Sequence, residues 1–291
     1  MKRRLIKQAK NTLTISLPQQ WTQRNKLEAG DELDVFEKET TLILSTEKKS
    51  GEYNFELDIE TDNQWYIGQI LRYCYFANFE KTRLFFHTKK TMDVIREETQ
   101  KLIGLEIMEQ EKNYCVIKNI SFEMEEEYPT LFRKVFLLTL QLFEALCTEN
   151  LKEMQALHRD CLRFSLFCRR VIIKHYDSLQ KMNEYILLQR LTMIANNLQY
   201  LAEVLVEEKR KLTPVERNSL FFCAEMYALF YHTYYNPEQN KLLELNQKRK
   251  QFTKLIDNQK TSAILYYLWE IVRILGSSGS LILYKGLKSK V

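Results

Sequence analysis

Chain breakers are scarce in this sequence: its 291 residues include only 7 glycines and 4 prolines, against 16 phenylalanines and 16 tyrosines. So small a supply of turn formers disfavours a loop-rich, many-stranded architecture and favours long uninterrupted helices. Paired cysteine motifs are also missing. The 6 cysteines, at 74, 115, 147, 161, 168 and 223, form no CxxC pair and have no histidine at zinc-ligand spacing. They read as buried free thiols in a reducing compartment, and Cys161 and Cys168 lie in an apolar helical pattern as core residues. No long apolar run is free of charge. The longest, Ile264 to Tyr284, contains Glu270, Arg273 and a Gly/Ser cluster, which makes it a poor membrane span and a reasonable buried helix. The Met-Lys-Arg-Arg start leads into no apolar segment of signal-peptide kind. A cytoplasmic chain without membrane insertion is therefore expected. Paired carboxylates, a nucleophile with a base, a Gly-rich phosphate loop and a metal-ligand set are all lacking at workable spacing, so neither an enzyme nor a cofactor is expected.

Acid is what the first 26 residues lack. They hold Lys2, Arg3, Arg4, Lys7, Lys10, Arg24 and Lys26 and no Asp or Glu, while the whole chain carries a modest net charge of +5. The basic character is local, which points to a phosphate-bearing partner more than the net charge does. Thr12 to Leu17 alternates, with Leu13, Ile15 and Leu17 on one side and Thr12, Thr14 and Ser16 on the other, the period of a half-buried strand. Leu5 to Gln8 precedes it across Ala9-Lys10-Asn11 as a hairpin. Pro18 suits the start of a short helix to about Arg24, Gly30-Asp31 makes a turn, and Leu33 and Val35 open a strand returned by Leu42 to Leu44. The predicted order is β-β-α-β-β. A module of some 46 residues with such short strands buries too little apolar surface to stand alone, so two copies are expected to interleave.

Lys10-Asn11-Thr12-Leu13-Thr14-Ile15-Ser16-Leu17-Pro18, then Trp21, then Leu27-Glu28-Ala29-Gly30-Asp31-Glu32-Leu33 together resemble the AbrB/SpoVT (MazE-like) swapped-hairpin domain. That family's pattern places T-x-T-I-x-L-P before a short helix and L-x-x-G-D-x-L/V before the second hairpin. The resemblance implies a homodimer whose two chains build one DNA-binding face. Here the matching basic residues are Arg3, Arg4, Lys7, Lys10, Arg24 and Lys26. Arginine can fork onto guanine or phosphate whereas lysine supplies a point charge, so the three arginines are the better candidates for base discrimination. Two other readings stay open: a basic strand edge that only prevents edge-to-edge pairing, and an antitoxin-like dimeriser.

Lys48-Lys49-Ser50-Gly51 is a polar break. Beyond it, a strand around Phe55, Leu57 and Ile59, a helix from Trp65 to Phe79, a strand from Arg83 to His87, a helix from Met92 to Ile103 and strands near 106–109 and 114–120 predict a small α/β layer. Leu102 to Glu109, followed by Tyr114 to Ile120, is similar to the linker unit between AbrB-like and PhoU-like domains in archaeal phosphate-uptake regulators. His87 stands alone and reads as solvent-facing or hydrogen-bonded.

From 122 onward apolar residues recur at three and four: Leu131 to Leu146, Met154 to Val171 and Leu187 to Leu205, then helices near 215–235, 238–258 and 262–287. Two sets of three suggest an internal repeat. In the last helix, Gly276-Ser277-Ser278-Gly279-Ser280 reads as close packing with the helix continuing, or as a break before a strand-like tail; the first is expected. Leu191-Thr192-Met193-Ile194-Ala195-Asn196-Asn197-Leu198 resembles the PhoU family, whose bundles carry an E-x-x-x-D pair in a run of the form L-E-R-I-A-D. The resemblance implies a metal site, but the positions that match are Thr192 and Asn196, and in the other copy His158 and Leu162, so no metal is expected.

The expectation is a mostly α, multidomain chain: an AbrB-like domain over 1–48, an α/β connecting domain over 52–121 and a PhoU-like six-helix domain, two three-helix bundles, over 122–291. Its expected function is that of a DNA-binding transcriptional regulator, tied to phosphate uptake by resemblance alone. The alternative is a signalling adaptor that docks on a transporter ATPase or sensor kinase through the helical domain and only dimerises through its N-terminus.

Overall fold

The computed structural model describes residues 2–8, 12–38, 41–46, 54–120, 122–174, 178–256 and 262–288. The chain is mostly helical, with a small β region at its N-terminus, and divides into two compact units, Met1–Tyr53 and Asn54–Val291.

In the first unit β1 (Ile6–Lys7) pairs antiparallel with β2 (Leu13–Thr14), with Ile6 opposite Thr14. Helix α1 (Gln19–Arg24) follows Pro18, whose φ of −65° suits a helix start. Asn25 ends the helix, its side chain donating to the Trp21 carbonyl at 2.8 Å. Gly30, at φ +105°, makes the turn that only glycine takes without strain, and Asp31 closes it by accepting from the Glu28 N–H at 2.8 Å. β3 (Leu33–Lys38) and β4 (Thr41–Thr46) form the second hairpin. The β-β-α-β-β order is as expected, but the first hairpin is shorter: only two residues of each strand pair, and Ile15 to Leu17 are not strand. Leu13 and Ile15, expected to be half-buried, are 61% and 51% exposed.

The second unit begins with a four-stranded sheet of order β5-β6-β8-β7, where β5 is Asn54–Ile59, β6 Lys81–Phe86, β7 Leu105–Gln110 and β8 Tyr114–Asn119. β5 and β6 run parallel, joined by helix α2 (Gln64–Phe76), and the other pairings are antiparallel. The alternating apolar residues of the strands pack on one face against α2 and α3 (Lys89–Gln100): Ile59, Leu84, Phe86, Cys115 and Ile117 meet Ile67, Leu71, Met92 and Ile95. Asn63 and Thr88 cap the two helices by accepting the Tyr66 and Thr91 N–H groups.

A short 3-10 turn (Phe122–Glu127) leads into the helices. α4 (Tyr128–Cys147), α5 (Leu151–Lys174) and α6 (Leu179–Glu207) pack on one another, as do α7 (Pro214–Tyr235), α8 (Gln239–Ile256) and α9 (Ala263–Ser277). The two trios meet along α6–α9 and α4–α7 and share one apolar core. The sheet layer docks on α5: the buried Arg170 donates to the Tyr75 carbonyl at 3.1 Å, and Arg169 lies over the Phe76 ring. Five of the cysteines are buried, Cys147 is half-buried, and all are free.

The expected continuous last helix is a correction. It breaks at Ser278, and α10 (Gly279–Lys288) follows, a helix and not a strand-like tail. Arg190 donates to the Ser277 carbonyl at 2.7 Å and to the Ser278 hydroxyl at 2.9 Å, so a side chain occupies an acceptor that the helix would otherwise use. Close packing is nonetheless found at Gly276, where the Arg249 side chain fills the space that a Cβ would need. Among the described residues no helix is long and apolar enough to cross a membrane.

Candidate nucleic-acid interface

The basic residues of the first unit sit on three local elements. Arg3 and Arg4 precede β1, Lys7 is its second residue, Arg24 ends α1, and Lys26 is the left-handed residue just after, at φ +52°. Lys10 lies outside the described residues. These five are exposed, and none of them makes an ion pair among the described residues. The acids of the unit begin only at Glu28. Among the described residues, then, no acid neutralises these cations.

Burial adds a second fact about this unit: none of the residues whose side chains are described is buried. Leu5, Ile6, Val35 and Leu42 are 64%, 57%, 58% and 66% exposed. Four large aliphatics in so small a module are far more exposed apolar surface than a self-sufficient domain shows. The alternation in Thr12 to Leu17 signalled an apolar side in advance; it could not signal that one chain leaves that side uncovered.

In the second unit the positions that resemblance assigned to eroded acidic pairs face each other across α5 and α6. His158 Nε2 lies 2.9 Å from Asn196 Oδ1, and Thr192 Oγ1 lies 2.8 Å from Ser165 Oγ while also donating to the Leu188 carbonyl. Leu162 is half-buried and contributes no polar atom. Burial lowers the His158 imidazole below its ordinary value, against the hydrogen bond that it donates to Asn196 Oδ1 and the charge of Glu203. Histidine, amide and hydroxyls make a polar seam, and no group of three or more His, Cys, Asp or Glu side chains placed to hold a metal occurs among the described residues. Ser165 was not anticipated. Its one signal is position, seven residues after His158 and thus on the same face of α5.

His87, expected to be solvent-facing or hydrogen-bonded, is both: it is exposed, and its Nε2 is 3.0 Å from Asp58 Oδ1. The chain was also compared with known proteins, and it matches no family model, no curated protein and no solved structure.

Proposed function

We propose that this chain is a DNA-binding transcriptional regulator whose N-terminal unit is a swapped-hairpin domain of the AbrB/SpoVT kind, completed by a second copy. Its helical part is, on this reading, a PhoU-like sensing or docking domain, and the link to phosphate uptake rests on that resemblance alone. The observation that carries the proposal is charge segregation: exposed, unpaired cations at Arg3, Arg4, Lys7, Arg24 and Lys26 within a stretch that has no acid. The exposed aliphatics of the same unit support the dimer, since pairing would remove them from water at about 25 cal/mol per Å². Phosphate contacts supply affinity and arginine forks supply sequence choice.

Arg3→Ala/Arg4→Ala tests the reading, because both residues are exposed and make no ion pair among the described residues. Fluorescence anisotropy of a labelled mixed-sequence duplex at low salt should show the variant binding at least about tenfold more weakly than the intact chain. Its salt slope should be shallower by about 0.9 for each phosphate that the variant leaves unneutralised. Equal binding by the two would remove the arginines from the interface. Binding by neither would favour the adaptor reading, in which the helical domain docks on a transporter ATPase or sensor kinase.

A further inference from the structure

The two edges of the four-stranded sheet are not alike. β7 is bulged between Ile107 and Glu109; a bulge interrupts an edge and turns it away from further pairing. β5 is regular over six residues, in unbroken register with β6 and without Pro, Lys or a bulge. Among the described residues it pairs with β6 alone, so its outer row of N–H and C=O groups faces away from the sheet.

Beside that edge, α2 presents an aromatic shelf. The β5–α2–β6 crossover makes α2 run back alongside β5, and Tyr66, Ile70 and Tyr73, four and three apart, share one side of it. Tyr66 is 45% and Tyr73 58% exposed. Tyr73 lies 5.9 Å from the ring of Phe55 in β5, which stacks on Phe79 at 5.1 Å. The other face of β5 is acidic, with Glu56 and Asp58 exposed and Glu60 following. On β6, Arg83 donates to Glu56 at 2.8 Å, and His87 just beyond the strand meets Asp58. A column with Lys81 and Arg83 is thus followed, toward the edge, by an acidic one. Cross-strand pairing favours opposite charges, so the next column outward should be basic.

A second copy does not satisfy this edge. Antiparallel self-pairing centred on Leu57 sets Glu56 opposite the other chain's Asp58, and self-pairing centred on Glu56 sets it opposite itself; like charges directly opposed are destabilising. We propose that the β5 edge takes up, by strand addition, an extended segment of a partner protein with alternating basic and apolar residues. The apolar side chains lie on the Tyr66–Tyr73 shelf and the basic ones face Glu56 and Asp58, with main-chain hydrogen bonds supplying the grip.

The test uses the full chain and a labelled Lys-Val-Lys-Val-Lys-Val peptide as probe, read by fluorescence anisotropy. Its controls are a Glu-Val peptide of the same length and two probes N-methylated at one or the other alternate set of amides. In a strand, alternate N–H groups point to opposite edges. Methylation of one set should therefore abolish binding and methylation of the other should be tolerated. Tyr73→Ala and Glu56→Gln/Asp58→Asn, all at exposed positions, should each weaken the probe by about fivefold or more. Failure of the probe to bind, equal binding of the Glu-Val peptide, or indifference to both methylation patterns would overturn the proposal. So would full affinity in the Tyr73→Ala chain, or loss of the site as the protein self-associates, which would give the edge to a second copy.

Discussion

Glu216→Gln should destabilise the helical unit by about 3 kcal/mol, the cost typical of breaking a buried ion pair from one side. Glu216 lies in the first turn of α7 with its side chain almost wholly buried, and it holds three segments together. Arg210, in the connection from α6, donates to both its oxygens at 2.7 and 3.0 Å; the Ser262 hydroxyl, capping α9, donates at 2.7 Å; and the Thr213 N–H, capping α7, donates at 2.9 Å. Glutamine keeps the shape but loses the charge and presents N–H groups to a donor. Burial alone would raise this carboxyl, but the hydrogen bonds from Arg210, Ser262 and Thr213 outweigh it and lower the group from 4.5 to about 2. A carboxylate lowered on folding stabilises the folded state fully above its unfolded value, and that stability is lost as pH falls from 4.5 through about 2. Urea titrations at neutral pH should show a lower midpoint at unchanged slope for the variant. Across the acid range the variant should lose less further stability than the parent chain. A loss under about 1 kcal/mol at neutral pH would mean that the network is ornamental.

The second large effect is expected at Phe136, in the centre of α4. Its ring is fully buried and lies 5.8 Å from Phe132, 6.2 Å from Phe230, 5.6 Å from Tyr231, 5.2 Å from Tyr234 and 5.7 Å from Tyr235. One side chain thus holds α4 to α7, where the two helix trios meet. Phe136→Ala leaves a cavity that five bulky rings cannot close, at a cost of about 3–5 kcal/mol. The neighbouring Leu137, 41% exposed on the same helix, is the control, and Leu137→Ala should cost under about 1 kcal/mol. Similar midpoints for the two variants in chemical denaturation would contradict this picture of the core.

Helix positions were readable from the sequence because their signals are local and redundant. Pro214 after Thr213, with Glu216 three residues past that cap, marks the start of α7, and Leu187, Leu191, Ile194 and Leu198 fix the buried side of α6. The break at Ser278 was not readable, because it depends on Arg190, a residue 88 positions away. The same holds for the fixing of His158 by Asn196, which are 38 positions apart. Of the candidate interface, the sequence disclosed the cations through composition alone. That they stand free of acids while the aliphatics around them lie open is a property of the folded hairpins, and the alternation of Leu13 and Ile15 gave only half of it.

The regulator reading stands or falls on the affinity of the intact chain for mixed-sequence duplex DNA, measured from about 50 to about 200 mM salt. Two copies of an acid-free basic stretch should bind at low salt and give a log–log slope of about −4 or steeper. Absence of binding at the lowest salt, or affinity indifferent to salt, would contradict it.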